Sequence, residues 1–129
     1  MTPETPTEIQ ALPLSLAQRP LWLLNRLDPS ASAYNVPLAL VLSGPLDAAR
    51  LRRALEAVVE RHEALRTTFE MFESEPVQVF HPSIEVPWEE TDLSGLSEQE
   101  RWRAVGRMEE DEASRPFDLA RGPLLRSRL

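Results

Sequence analysis

Cysteine is absent from these 129 residues, and histidine occurs only as His62 and His81. A disulfide framework, a thiol nucleophile and a cysteine-based zinc site are therefore excluded. Two histidines alone make no convincing metal site, and none is expected. Glycine is scarce, with 4 in all, which leaves little room for a glycine-rich phosphate cradle. Basic charge is in deficit. The 14 Lys and Arg against 21 Asp and Glu give a net charge of -7, the wrong sign for a nucleic-acid or anionic-membrane surface. No apolar run approaches the roughly 20 residues that span a bilayer. Met1–Gln10, rich in Thr, Pro and Glu, has neither the basic start nor the apolar stretch of a signal peptide and reads as a flexible lead-in. A cytoplasmic location follows by default. What is present, 42% hydrophobic and 27% charged residues, suits a soluble globular protein, either one small domain or part of a larger one.

Periodicity and capping chemistry place the elements. A short extended entry at Ala11–Leu14 leads to a helix over about Leu16–Leu27, with Ser15 and Gln18 at capping-box spacing. The helix ends before the turn signal Asp28-Pro29-Ser30. Val36–Leu42 is almost continuously apolar and predicts a strand buried on both faces, with Pro37 confined to its start. Asp47 caps a second helix whose apolar stripe runs through Leu51, Ala54, Leu55, Val58 and His62. The period then changes to two. Leu65, Thr67, Phe69 and Met71 point one way, and Arg66, Thr68 and Glu70 the other. A hairpin loop at Glu73–Pro76 returns along Val77–Phe80, and Ile84–Trp88 adds a short extended stretch. Ser97 and Glu100 repeat the capping-box spacing and open a helix to about Ser114, anchored by Trp102 with Val105 and Met108. Gly122–Leu125 leads into a further strand. The order is that of an α+β (mixed α/β) fold.

Two blocks stand out, Pro13-Leu14-Ser15-Leu16-Ala17-Gln18-Arg19-Pro20-Leu21-Trp22-Leu23-Leu24 and Arg61-His62-Glu63-Ala64-Leu65-Arg66-Thr67-Thr68-Phe69. They resemble the first two core motifs of the condensation domains of nonribosomal peptide synthetases. Ala33-Tyr34-Asn35-Val36-Pro37 and Arg115-Pro116-Phe117-Asp118-Leu119 are similar to the same family, so the resemblance runs from about Leu12 to Leu129. It implies the N-terminal part of a chloramphenicol-acetyltransferase-like lobe over residues 11–129. The implied activity is amide formation between a donor acyl and an acceptor aminoacyl group, each on the phosphopantetheine arm of a carrier protein. The implied partners are those carrier proteins and the remainder of the synthetase, with no tightly bound cofactor. The family's third motif, His-His-x-x-x-Asp-Gly, does not occur in this sequence, so the chain is expected to be inactive alone. Pro20 departs from the family, standing where an Arg is usual.

No catalytic residue is therefore assigned. Acyl transfer from a thioester needs a base or a positioned donor, and His62 is the natural choice by residue type. Its place at the end of an apolar stripe, without a triad partner, reads as a packed structural histidine. Arg66 reads as a buried anchor needing a carboxylate or several carbonyls, which the resemblance places beside the active-site channel. Arg61 suits the negative helix end. With Glu63 they make the second structural motif, as Ser15, Gln18 and Trp22 make the first. The acidic run Glu109–Glu112 reads as a solvated helix face. Two rival readings remain: a degenerate module that binds carriers or recruits another enzyme, and a related acyltransferase that forms an ester.

Overall fold

The computed structural model describes residues 10–129. The expected lead-in lies outside the described residues, apart from Gln10, which opens the first strand. In chain order the elements are β1 (Gln10–Pro13), α1 (Gln18–Leu27), α2 (Ala48–Arg61), a 3-10 turn (Glu63–Arg66), β2 (Thr67–Phe72), β3 (Glu75–Phe80), β4 (Trp88–Glu89), α3 (Glu98–Ser114) and β5 (Ser127–Arg128). β3 is the middle of a three-stranded antiparallel sheet with β1 and β2 on its sides, and β4 pairs with β5 in parallel. Among the described residues no helix is long and apolar enough to cross a membrane.

The β2–β3 hairpin is tighter than the sequence suggests. Phe72 pairs with Glu75, so only Glu73 and Ser74 form the loop, at φ 47° and 71°. Two left-handed residues in a two-residue loop match the right-handed twist of the flanking strands. Pro76 thus lies within β3, opposite Met71. Counting from the closing Phe72–Glu75 pair, Met71–Pro76 is a pair without ladder bonds. The missing N–H of Pro76 faces the β1 side, where pairing has already stopped at Pro13–Val77.

Capping chemistry reads through directly. Asp47 accepts the Arg50 amide at 2.9 Å, and Ser97 and Glu100 form a reciprocal capping box. The buried faces differ from expectation. α2 turns Ala48, Leu51, Leu55 and Val59 inward, at spacings of three and four, and Val59 is buried while Val58 is 46% exposed. In α3 the buried residue is Ala104, and Trp102 is 58% exposed. At about 100° per residue the two positions lie on opposite sides of the helix, and the small side chain lets α3 approach the core. Trp102 is not its anchor.

Val36–Leu42 forms no strand. It lies outside both sheets, with Val36 92%, Leu38 80% and Val41 77% exposed. Apolar composition permits a buried strand but does not supply the neighbour whose N–H and C=O groups must pair with it. No neighbour pairs with this run among the described residues.

Candidate functional site

The two motif blocks converge on β3 from opposite directions. In the first block, Ser15 and Gln18 bond reciprocally: the Ser15 amide donates to Gln18 Oε1 at 2.8 Å, and the Gln18 amide donates to Ser15 Oγ at 3.2 Å. The amides of Gln18 and Arg19 also donate to the Ser15 carbonyl. α1 proper begins at Gln18, later than Leu16. Pro20 is then the third helical residue, where its absent N–H is one that a helix start leaves unpaired anyway. The departure at Pro20 costs the helix no bond. Gln18 Nε2 donates onward to Gln78 Oε1 at 3.0 Å, and Gln78 Nε2 donates to the Pro13 carbonyl at 3.1 Å. Sequence spacing showed the Ser15–Gln18 pair, although the N-cap of α1 is Ala17; it gave no sign of this link from α1 through β3 to β1. Trp22 is half-buried, with the Arg26 guanidinium 5.7 Å from its ring centroid.

The second block ends α2 and enters β2. Arg66 is the last residue of the 3-10 turn, and its side chain is only 15% exposed. Its Nε donates to the Glu60 carbonyl at 3.2 Å, its Nη1 donates to the His81 carbonyl, and Glu63 Oε1 lies 3.8 Å from Nη2. The His81 amide donates back to the Arg66 carbonyl at 3.0 Å. One guanidinium thus fastens the C-terminal turn of α2 to the end of β3. The Thr67 hydroxyl adds a bond to the Glu63 carbonyl at 2.7 Å. Arg61 is exposed in the last turn of α2, where a cation faces the negative helix end.

His62 is not packed. It is exposed, and its backbone N–H donates to the Val58 carbonyl as the C-cap of α2. The stripe does not reach it, because His62 is the C-cap, at φ −111° and ψ 102°, where the chain has already left the helix. The histidine with a built environment is His81, whose Nε2 lies 2.7 Å from Oγ1 of the fully buried Thr68. Gly122 closes over this pair. At φ 61° it occupies left-handed backbone, and a Cβ there would lie 3.0 Å from Ile84 Cδ1 and 3.1 Å from Thr68 Cγ2.

A third joint closes the C-terminal end of α3. The Arg126 side chain, 12% exposed, donates to the carbonyls of Glu112, Arg115 and Pro116 at 3.2, 2.7 and 3.0 Å and lies 3.8 Å over the Phe117 ring. Among the described residues its Nε has no hydrogen-bond partner, with Glu112 Oε1 at 3.4 Å. Burial lowers the Arg126 pKa below the usual arginine value, and the Glu112 carboxylate opposes that shift. Asn35 Nδ2 donates to the carbonyls of Ala113 and Arg115, both at 2.9 Å. Glu112 is therefore engaged by Arg115 and Arg126 and is not part of a solvated acidic face. The one sequence signal for this joint is an Arg set among Leu124, Leu125 and Ser127.

Between α1, β2 and the loop Pro116–Ala120 runs a cleft of about 760 Å³, lined by Trp22, Arg26, Phe69, Met71, Phe117 and Leu119 among others. No group of three or more potential metal ligands occurs among the described residues.

The condensation-domain family model matches residues 8–129. One of the linear gramicidin synthase proteins of Brevibacillus parabrevis is 43% identical over 132 aligned positions, covering 98% of this chain and 2% of that protein. The chondramide synthase of Chondromyces crocatus is 47% identical over 118, covering 92% and 3%. In structure, the starter condensation domain of rhizomide synthetase, solved with C8-CoA, superposes with a TM-score of 0.76 at 24% identity, covering 93% of this chain and 27% of that one. A four-domain nonribosomal peptide synthetase gives 0.68 at 22%, covering 98% and 10%. The mixed helix and strand arrangement is therefore that of the chloramphenicol-acetyltransferase-like fold, and the chain spans only a small part of the proteins it matches. It belongs to the condensation-domain family of nonribosomal peptide synthetases.

Proposed function

We propose that this chain is the N-terminal part of a condensation domain that joins a carrier-bound donor acyl group to a carrier-bound acceptor amine. In that reaction the amine nitrogen attacks the thioester carbonyl, and an amide C–N bond replaces the C–S bond. The amine proton is lost, and the donor's phosphopantetheine thiol leaves. The substrates ride on carrier proteins, so the partners are those carriers and the other domains of the synthetase. The role of this chain is to frame the site, and its own residues supply no proton-transfer group.

The observation that carries this reading is the convergence of both family blocks on β3, through Gln18–Gln78 and Arg66–His81. Ser15, Gln18, Trp22, Arg61, Glu63 and Arg66 act as structural residues, and His62 contributes its backbone cap. A general base must be within reach of the proton it takes. His62 has no side-chain partner to orient it among the described residues, and His81 Nε2 is turned to buried Thr68. The test is single-turnover amide formation between loaded donor and acceptor carriers with the purified chain. The expected rate equals uncatalysed aminolysis, and a rate clearly above it overturns the assignment.

A further inference from the structure

Thr68 is fully buried, and among the described residues its Oγ1 has a single hydrogen-bond partner, His81 Nε2 at 2.7 Å. Residues 10–129 alone enclose it, so nothing packed on the outside can supply a second partner. The His81 main chain is fixed on both sides. Its amide donates to the Arg66 carbonyl at 3.0 Å, and its carbonyl accepts from Arg66 Nη1. The ring is only half-buried, which leaves it within reach of solvent protons.

The burial of Thr68 decides which atom donates. A hydroxyl carries one proton, and a buried donor without an acceptor costs the full desolvation penalty of that group. Nε2 is the one acceptor within reach, so Nε2 must be bare and the ring proton must sit on Nδ1. A proton taken up by the ring puts N–H on both nitrogens. Nε2 then becomes a donor, the hydroxyl turns to accept, and its own proton is left buried without an acceptor. The charges nearby do not offset this. Arg66, on the His81 carbonyl, is itself a cation, and Glu63 is engaged with it at 3.8 Å. In the loop whose Gly122 packs on Thr68, Asp118 stands 3.8 Å from Arg121. Glu70 on β2 and Glu85 beyond β3 are charged as well. Among the described residues none of these side chains bonds the ring.

We propose that the Thr68–His81 pair is a proton-sensitive fastener, which holds β2, the end of β3 and the Gly122 loop together while the imidazole is neutral and loosens when the imidazole takes up a proton. The same loop walls the cleft, where the Leu119 carbonyl takes the Phe69 amide at 2.8 Å. Mild acid therefore loosens one wall of that cleft. Free imidazoles in the unfolded chain titrate at about pH 6.5. Around that pH the unfolded chain binds more protons than the folded one, so stability rises with pH.

Urea unfolding of the purified chain at pH 7 and pH 5.5 tests this, above the range in which Glu89 and Glu100 titrate. The parent midpoint should be lower at pH 5.5 by roughly 0.5–1 M. With only two histidines in the sequence, the source of the difference is open to direct assignment. His62→Ala should keep all of it. His81→Gln offers Thr68 an amide oxygen but takes up no proton, and should lose it. Long-range proton–nitrogen NMR correlations at pH 7 should place the His81 ring proton on Nδ1. Equal parent midpoints at the two pH values, a difference that survives His81→Gln or vanishes in His62→Ala, or a ring proton on Nε2 each overturns the proposal. If His81→Gln fails to fold, His62→Ala and the ring proton decide.

Discussion

Arg66→Ala probes the joint between the second family block and β3. The bond from Nη1 to the His81 carbonyl is partly buried, and a hydrogen bond involving a charged group contributes about 1.5–3 kcal/mol. The bond to the Glu60 carbonyl is exposed and contributes about 0.5–1 kcal/mol on the same scale. Glu63 stands 3.8 Å away and its side chain is 67% exposed, so screening reduces that pair to near zero. The sum predicts a loss of about 2–4 kcal/mol, large against the roughly 5–15 kcal/mol that holds a small domain together. Urea unfolding followed by circular dichroism measures it. With a slope of about 1.5 kcal/mol per molar, the midpoint should fall by about 2 M. Arg66→Lys keeps the charge but lacks the fork that reaches two carbonyls at once, and should recover about half of the loss. A midpoint within a few tenths molar of the parent for Arg66→Ala would refute the reasoning, because the guanidinium would then be fastening nothing.

Three further outcomes follow from the geometry. Gly122→Ala should cost about 2–4 kcal/mol, since left-handed backbone costs a β-carbon about 1–2 kcal/mol and the new atom must displace Ile84 and Thr68; a thermal-unfolding midpoint equal to the parent's contradicts this. His62→Ala should stay within about 0.5 kcal/mol of the parent, as expected for an exposed side chain; a larger loss in urea would restore a packed role. The pKa values of Glu89 and Glu100 lie below the ordinary 4.5, Glu89 through its bond to Arg128 and Glu100 through its bonds to Ser97. A carboxylate with a depressed folded-state pKa contributes stability that is present above the unfolded value and is lost as pH falls through the folded value. Unfolding midpoints should therefore drop below about pH 4.5, less steeply in Glu89→Gln; an unchanged slope in that variant rejects the link.

What was legible in the sequence was what is decided locally. Asp47, and Ser97 with Glu100, satisfy helix amides within a few residues of themselves, so spacing alone located those two helix starts, while the Ser15–Gln18 pair forms just ahead of an α1 that begins two residues later than expected. The β2–β3 hairpin was legible because its strands and turn are neighbours in the chain, but Leu65 and Arg66 belong to a 3-10 turn, burial along β2 does not alternate, and the loop is two residues long. Helix faces were less so. Leu51 and Leu55 of the expected stripe do face inward, but Ala54 and Val58 fit the same period nearly as well as Ala48 and Val59, and only the partner surface decides between them. Trp102 shows the same limit, since size does not say which side of α3 meets the core. The Val36–Leu42 expectation failed because a strand needs a partner as well as composition. The Arg126 and Asn35 joint and the His81–Thr68 pair were illegible, because their bonds go to residues remote in sequence. Family likeness, carried by the two blocks, reached further than periodicity for the assignment as a whole.

The central claim is that this chain frames an amide-forming site without catalysing the reaction itself. The most direct measurement replaces the matching segment of the chondramide synthase with residues 10–129 of this chain and follows amide formation between loaded carriers. The chimera should fold cooperatively and turn over, while the same chimera carrying Arg66→Ala loses stability. A chimera that unfolds as one cooperative unit yet makes no amide would contradict the account.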